Sequence, residues 1–189
     1  NMDENSLSKV FKIFGDERYS KKIAKEIVKI RKFKTIKTED LVQIINNVKK
    51  YQKTKINNST KIFQALRILV NKEISELINA LINSFHLIPI GGVIAVVTFH
   101  SLEDKIVKFF FKHYSEERNS SRYMPNKEES KKCFKLINKK PILPGLKEVS
   151  QNPPSRSGKL RYAIKINQKC NFNDLREKFK YLTDVEDLR

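Results

Sequence analysis

Glycine is scarce in this sequence of 189 residues, which contains only five. The one close pair, Gly91-Gly92, precedes an apolar strand-like run instead of following it. Sites for nucleotide cofactors usually combine a strand, a glycine-rich turn and a helix with an acidic residue on the next strand. Neither element is found in the sequence, so the chain's own residues predict no dinucleotide or adenosyl cofactor site.

Cysteine is rarer still, and the two cysteines, Cys133 and Cys170, lie far apart in the sequence. Neither belongs to a CxxC pair, and His86, His100 and His113 do not add metal-ligand spacing, so no metal site is expected. Separate thiols fit a reducing compartment, which predicts a cytoplasmic location. One disulfide between the two cysteines is the alternative.

Acidic residues and long apolar runs are also lacking. No apolar run reaches the length of a membrane span. Lys and Arg number 39 against 21 Asp and Glu, which gives a formal net charge of +18. Such an excess indicates the partner and not the fold, with nucleic acid the first candidate and an anionic membrane surface the second. No predicted helix combines a lysine face with a Trp- and Phe-containing apolar face, the pattern of membrane-surface helices, so no membrane partner is expected. A biased genome composition is a third explanation of the charge.

The N-terminal half has helical periodicity. Isoleucines recur every three or four residues within 16–34, and Lys and Arg occupy the opposite face. A longer pattern follows Ser59, a predicted N-cap, and extends over 60–87 as one helix with a bend expected at Asn71. The first half is therefore expected to be helical.

The second half alternates between strand and helix patterns. Residues 93–99 are β-branched and apolar on both faces, which is typical of a strand in a parallel sheet covered by helices. A helix is predicted over 102–114, two further strands over 133–137 and 160–166, the latter at a sheet edge, and a weak helix over 171–182. Part of a three-layer α/β sheet is expected, with too few strands for a complete doubly wound domain.

The sequence HSLED lies between the strand at 93–99 and the helix that follows. His100 comes at the carboxyl end of the strand, where open α/β sheets bind ligands, so it can contact a substrate or orient a neighbour. The alternative for His100 is a partly buried side chain satisfied by backbone groups. Ser101 and Asp104 resemble a capping box, and Glu103 and Asp104 suit a helix N-terminus. A purely structural role is therefore open for these three residues.

Two basic clusters are candidates for contacts with nucleic acid. The denser one lies on the helical pattern at 16–34, where Tyr19 and Phe33 are placed to stack on unpaired bases. The second lies in the sequence NPPSRSGKLR, whose basic and hydroxyl groups suit phosphate contacts. A solvated surface explains either cluster equally well. The selected residues are Lys21, Lys22, Lys25 and Lys29 in the first cluster, and Arg156 and Arg161 in the second.

Four sequences, in order along the chain, together resemble one protein family. They are FGDERYSKKIAKEIV (14–28), STKIFQALRILVNKEI (59–74), GGVIAVVTFHSLEDKIVK (91–108) and NPPSRSGKLR (152–161). The chain resembles the bacterial small-subunit ribosomal RNA methyltransferase H family, also called MraW. Four linked motifs are far more specific than any one of them, and the resemblance covers nearly the whole chain.

The resemblance implies a fold and a reaction. The fold is a class I (Rossmann-like) methyltransferase sheet with an inserted all-α domain. The reaction is methylation of N4 of a cytosine in the decoding region of 16S rRNA, with S-adenosylmethionine (AdoMet) as the methyl donor. By this match, residues 1–58 are the helical insertion that helps to bind RNA. Residues 59–168 are the C-terminal part of the methyltransferase domain, and residues 169–189 are a tail with a weak helix.

The same resemblance suggests roles for individual residues. His100 and Ser101 are expected to line the pocket for the target cytosine, with Glu103 or Asp104 as acceptors near its amine. Arg67 is expected to contact RNA phosphate or to support the site from behind. A surface arginine whose stem covers its helix is the alternative for Arg67.

The family's glycine-rich cofactor loop and acidic cofactor ligands have no counterpart in this sequence. The chain is therefore expected to be the C-terminal portion of a longer enzyme, with most of the AdoMet site outside it. Its expected partner is 16S rRNA or the small ribosomal subunit. The alternative is a non-catalytic RNA-binding module, or an inactive remnant of such an enzyme. The sequence does not predict an oligomeric state.

Overall fold

The computed structural model of the protein describes residues 2–50, 57–116 and 132–188. Within these ranges it is a mixed α/β structure with a small antiparallel sheet. A short 3₁₀ helix (Pro153–Ser157) precedes the last strand. The main elements are α1 (Glu4–Gly15), α2 (Ser20–Ile30), α3 (Thr38–Lys49), α4 (Thr60–Asn71), α5 (Glu73–Leu87), β1 (Val93–Thr98), α6 (Ser101–His113), β2 (Phe134–Leu136), α7 (Leu146–Gln151), β3 (Lys159–Lys165) and α8 (Asn173–Glu186).

The chain divides into two compact units. The helical unit comprises Asn1–Ser75 and Lys180–Arg189, and the sheet unit comprises Glu76–Phe179. The division expected from the family resemblance, at residues 58 and 168, follows other boundaries and stays a prediction. No helix of the described residues is long and apolar enough to cross a membrane.

Helix α1 is the centre of the helical unit, where it packs against α2 and α4. Its apolar face is buried through Phe11 and Phe14, as the helical spacing of the sequence requires. Gly15 ends the helix where it meets α4, and a Cβ there would lie 2.6 Å from the Lys61 carbonyl oxygen. Any larger residue at Gly15 would therefore force the two helices apart.

The predicted single helix over 60–87 is two helices, which part at Lys72, directly after Asn71, where the bend was predicted. Lys72 has a left-handed backbone, with φ 51°. The buried carboxylate of Glu186 accepts hydrogen bonds from the backbone of Ile74 (2.8 Å) and of Ser75 (3.0 Å), and from the Ser75 hydroxyl. It thereby satisfies the amide groups that a new helix leaves open at its start. Glu186 lies 112 residues after Ile74 in the sequence, so the pattern of residues 60–87 does not predict this contact.

A buried ion pair holds the end of α3 in the helical unit. Lys49 Nζ lies 2.7 Å from Glu17 Oε2, and their side chains are 5% and 3% exposed. Lys49 also donates to the Asn58 carbonyl oxygen at 2.9 Å, and Glu17 Oε1 accepts from the Tyr19 amide at 3.0 Å. Both charges are therefore paired and further hydrogen-bonded, as burial demands.

The sheet has the order β1-β3-β2 and is antiparallel throughout the described residues. Strand β3, predicted at a sheet edge, is central among the described residues, and the partner of β1 there is antiparallel, whereas the parallel neighbours favoured by its sequence were expected mostly outside this chain. One face of β1 is not covered here either, since Val93 and Val97 are each 55% exposed. A run of apolar residues indicates a strand but not the direction of its partner.

The sheet unit buries a cluster of aromatic rings and one lysine. Phe85, Phe110 and Phe134 are fully buried and pack edge to face, with centroids 5.1 to 5.5 Å apart for the pairs that include Phe134. Lys165, on β3, is equally buried and donates to the carbonyl oxygens of Phe85 and Ile88, both at 2.8 Å. Its ammonium group thereby satisfies carbonyl groups at the C-terminal end of α5.

The two cysteines are joined by a disulfide. Cys133 and Cys170 are bonded, with their Cα atoms 6.0 Å apart. The expectation of separate thiols is therefore wrong, and the alternative of one disulfide is confirmed, so the cysteines do not support the cytoplasmic location predicted from them. The bond connects the start of β2 to the segment that precedes α8.

Candidate active site at the β1–α6 junction

The turn between β1 and α6 is fixed by a capping box that starts one residue earlier than predicted. His100 is the N-cap: its Nδ1 accepts from the Glu103 amide at 3.3 Å. Glu103 Oε2 accepts in return from the amides of Phe99 (2.8 Å) and His100 (3.2 Å). The predicted box of Ser101 and Asp104 is wrong, because Ser101 is already the first helical residue. Serine is a far more common N-cap than histidine. The sequence therefore predicted the start of the helix one residue too late.

Glu103 also faces the imidazole of His100. Its Oε1 lies 3.3 Å from His100 Nε2, and the histidine side chain is only 8% exposed. Burial raises the pKa of Glu103, but hydrogen bonds from His100 and from the Phe99 amide lower this pKa more, so the net shift is downward. An ionised Glu103 therefore holds the ring and the turn in one arrangement at neutral pH.

Asp104 connects the first turn of α6 to β3. Its Oδ1 accepts from Arg161 Nε at 2.7 Å and its Oδ2 from Lys159 Nζ at 3.1 Å. The side chains of Asp104 and Arg161 are 14% and 11% exposed. Burial raises the pKa of Asp104, but the hydrogen bonds from Arg161 and Lys159 lower it more, and the net shift is downward. The carboxylate is thus a charged anchor between a helix and a strand that are distant in sequence.

The sheet register brings two of the sequence motifs together. Thr98, the last residue of β1, pairs with Lys159 of β3, so NPPSRSGKLR passes beside HSLED. A Cβ at Gly158 would lie 3.7 Å from the Phe99 ring. Phe99 is 57% exposed, and Ser101 is exposed as well. Both residues are accessible next to His100 in the sequence, whose side chain is largely covered.

Arg161 and Arg156, the two residues selected from the second basic cluster, have contacts that the sequence did not predict. Arg161 was selected as a phosphate ligand, and its Nε is bound to Asp104. Arg156 is exposed and its Nη1 donates to the Pro153 carbonyl oxygen at 3.1 Å. Ser155, beside it, has a buried hydroxyl without a hydrogen-bond partner among the described residues. Lys159 belongs to the same basic cluster of the sequence, and it is the second cation on Asp104 instead of a free phosphate ligand.

The lysines chosen in the helical unit share one exposed face of α2. Opposite them, Ile23, Ala24 and Ile27 are buried, so the helix is amphipathic as predicted. Arg67 also belongs to this unit, but Glu73 holds its guanidinium at 2.7 and 3.1 Å. The exposed lysines are Lys21, Lys22, Lys25 and Lys29.

The described residues do not fit an AdoMet site by themselves. The turn after β1 carries Phe99-His100-Ser101 in place of glycine. The His100 ring occupies the N-terminus of α6, where backbone amides would otherwise face a ligand. Both nearby carboxylates, which would be the candidates for a ribose contact, are held by His100 or by the cations of β3.

The lowered pKa of Asp104 predicts a dependence of stability on acid. A carboxylate whose pKa is lower in the folded state stabilises the protein above its unfolded pKa, about 3.9, and loses this contribution as the pH falls through the folded value. Replacing Asp104 by Asn should therefore flatten the acid side of the stability profile. Urea unfolding from about pH 6 to pH 3 measures the free energy of unfolding of both proteins. The difference between the two values should narrow below about pH 4. A difference that does not vary with pH would contradict the prediction.

Comparison with known proteins agrees with the motifs. The family model described as the MraW methylase family matches residues 1–166. The chain is 42% identical to the ribosomal RNA small subunit methyltransferase H of Azorhizobium caulinodans, across 86% of this chain and 47% of that protein. It is 44% identical to the enzyme of the same name from Caldicellulosiruptor saccharolyticus, across 86% and 54%, and 41% identical to that of Ehrlichia canis, across 87% and 54%. The chain spans about half the length of these curated relatives. It belongs to the MraW methylase family.

Proposed function

We propose that this chain supplies the C-terminal portion of an AdoMet-dependent enzyme that methylates N4 of a cytosine in the decoding region of 16S rRNA. The observation that carries the proposal is the junction of HSLED with NPPSRSGKLR, which are separate in sequence and adjacent in the sheet unit. Membership of a methylase family supports the reaction class. The names of the relatives support an RNA substrate of the small ribosomal subunit, and a cytoplasmic location follows from that substrate.

The fold proposed for the complete protein is a class I (Rossmann-like) sheet with an inserted all-α domain. Among the described residues β1 pairs with β3 alone, so its other edge suits a further strand, and its exposed Val93 and Val97 suit a face that further elements cover. The unmatched half of the relatives is long enough to hold the remaining strands and the AdoMet site. AdoMet supplies the methyl group, and its ligands are assigned to that half and not to this chain.

The chemistry asks the site to orient an exocyclic amine whose lone pair is delocalised into the cytosine ring. Holding the amine in line with the methyl group supplies much of the rate, and an acceptor for its proton favours the required rehybridisation. The base must be unpaired or turned out of its stack to be reached. Ser101 is exposed at this surface and is proposed to contact the base, with His100 bordering the pocket from below.

The two carboxylates are proposed to have different roles. Glu103, 24% exposed, is the better acceptor for the amine, since its contacts are to the backbone and to His100. Asp104 is bound to two cations and is proposed as a positioning residue that holds α6 against β3. RNA phosphate contacts are proposed for the exposed lysines of α2 and for Arg156. Arg67 and Arg161 are each held by a carboxylate and have the weaker claim.

A methyl-transfer assay tests the proposal. Transfer from labelled AdoMet to small ribosomal subunits is measured for the 189-residue chain and for the complete product of its reading frame. We expect N4-methylcytidine from the complete product, identified by nucleoside mass spectrometry. Ser101→Ala should lower kcat about tenfold, the value of one hydrogen bond of about 1.4 kcal/mol.

The matched control is Ser150→Ala, which removes a hydroxyl from an exposed serine of α7 whose oxygen donates to the Lys147 carbonyl group. It should leave the rate unchanged. If the complete product binds the subunit but transfers no methyl group, the non-catalytic RNA-binding module is the correct function. Transfer by the 189-residue chain alone would contradict the assignment of the AdoMet site to residues outside it.

A further inference from the structure

A basic groove lies in the sheet unit, on the far side of Arg161 from the β1–α6 junction. It has a volume of about 740 Å³ and is bordered by α6, by β2 and by the residues that follow β2. None of its lysines was selected from the sequence, because they lie on three separate elements. Its cationic lining residues are Lys108, Lys112, Lys132, Lys135, Lys139 and Arg161.

Cations outnumber carboxylates among the described residues that line the groove, although one of the cations, Arg161, is already paired with Asp104. Glu116 is the one carboxylate that lines it among the described residues. Glu116 lies 3.9 Å from Lys112, and their side chains are 61% and 63% exposed, so this pair is weak. Lys108, Lys135 and Lys139 are exposed. The groove therefore attracts anions along its length.

The floor of the groove indicates which part of a polyanion it fits. Phe111 and Phe134 line it but are 2% and 0% exposed, so their ring faces are already covered. The accessible apolar side chains of the lining are Ile166, which is 41% exposed, and the half-buried Tyr162 and Leu136. Exposed lysines surround them, and lysines suit phosphate groups, which are contacted without reading sequence.

Arg161 connects the groove to the candidate active site. Its Nε is bound to Asp104 in HSLED, while its Nη1 donates to the Lys139 carbonyl oxygen at 3.4 Å on the groove side. We propose that the groove binds the phosphodiester backbone of the substrate RNA where the strand leaves the target nucleotide. This inference rests on the proposed function, since it takes the bound polyanion to be the substrate.

The salt dependence of RNA binding tests the groove without any methyl transfer. A triple variant, Lys108→Gln, Lys135→Gln and Lys139→Gln, is compared with the unchanged 189-residue chain. The probe is a fluorescent single-stranded RNA of decoding-region sequence. Three lost phosphate contacts should reduce the slope of log K against log salt by about 2, at about 0.7 per contact. Affinity at low salt should fall at least about tenfold.

The matched control changes the same net charge elsewhere in the sheet unit: Lys147→Gln, Lys169→Gln and Lys178→Gln, all exposed. It should retain the original slope, and circular dichroism should show both variants folded. Equal slopes for the two triple variants would overturn the groove proposal, whatever the methyl-transfer assay gives. Polyglutamate is the second probe and stands for an acidic protein. If the groove variant loses polyglutamate binding while its RNA binding is unchanged, the groove binds an acidic protein and the RNA proposal is overturned.

Discussion

Replacing Lys49 by methionine is expected to lower the free energy of unfolding by about 3–5 kcal/mol. The substitution leaves the Glu17 carboxylate, 3% exposed, in the interior of the helical unit without its ammonium partner. A charge in that position must either stay desolvated or take up a proton, and both cost free energy. The loss is a large share of the 5–15 kcal/mol that stabilises a typical domain. Urea unfolding followed by circular dichroism measures it.

An exposed pair in the same unit is the control for this prediction. Lys61 Nζ lies 3.6 Å from Asp16 Oδ2, and these side chains are 47% and 100% exposed. Lys61→Met should change the free energy of unfolding by less than about 1 kcal/mol. The double substitution Glu17→Gln with Lys49→Met should recover much of the loss, because no buried charge is then left unpaired. Equal losses for Lys49→Met and Lys61→Met would show that burial of the pair is not the cause.

Replacing Asp104 by alanine is expected to lower kcat for methyl transfer about 100-fold in the complete protein, if the proposed function is correct. Asp104 does not have to touch the substrate to have this effect. It fixes the first turn of α6, with His100 and Ser101, against β3 through Arg161 and Lys159. A displacement of reacting groups by about 1 Å is sufficient for a loss of this size.

A split between kcat and KM separates positioning from loss of RNA binding. Asp104→Ala should leave KM for the small subunit nearly unchanged, and Asp104→Glu should recover part of kcat. Asp174→Ala is the control, since Asp174 forms a similar short pair with His113 at 3.0 Å elsewhere in the sheet unit. A rise in KM with kcat intact would show that Asp104 supports RNA binding instead.

Local patterns predicted the helices well and their ends less well. The isoleucine spacing of α2 is a property of neighbours in sequence, so the sequence contains it. The break at Lys72 depends on Glu186, which is far away along the chain. The start of α6 depends on His100, a residue type that seldom caps helices, and a preference scale selects Ser101 instead.

The sequence predicted the pairing of strands and of charged side chains less well than it predicted the helices. The apolar run of β1 predicted a strand correctly, but the antiparallel pairing with β3 depends on residues that follow a long connection. Asp104 and Arg161 are 57 residues apart, and their contact could not be read from either motif alone. The sequence nonetheless selected both HSLED and NPPSRSGKLR, and the structure shows them side by side in the sheet unit, while their role in a site stays a prediction.

The buried lysine of β3 has a chemical consequence. An amine must be deprotonated and open to solvent before it reacts with an acylating reagent, and Lys165 is fully buried and held by two carbonyl groups. Exposed lysines of the chain should react at once, whereas Lys165 should react only when the sheet unit opens. Acylation at this one position, followed by mass spectrometry, would therefore report the opening rate of the sheet unit when the reagent is concentrated enough to react before the unit closes again.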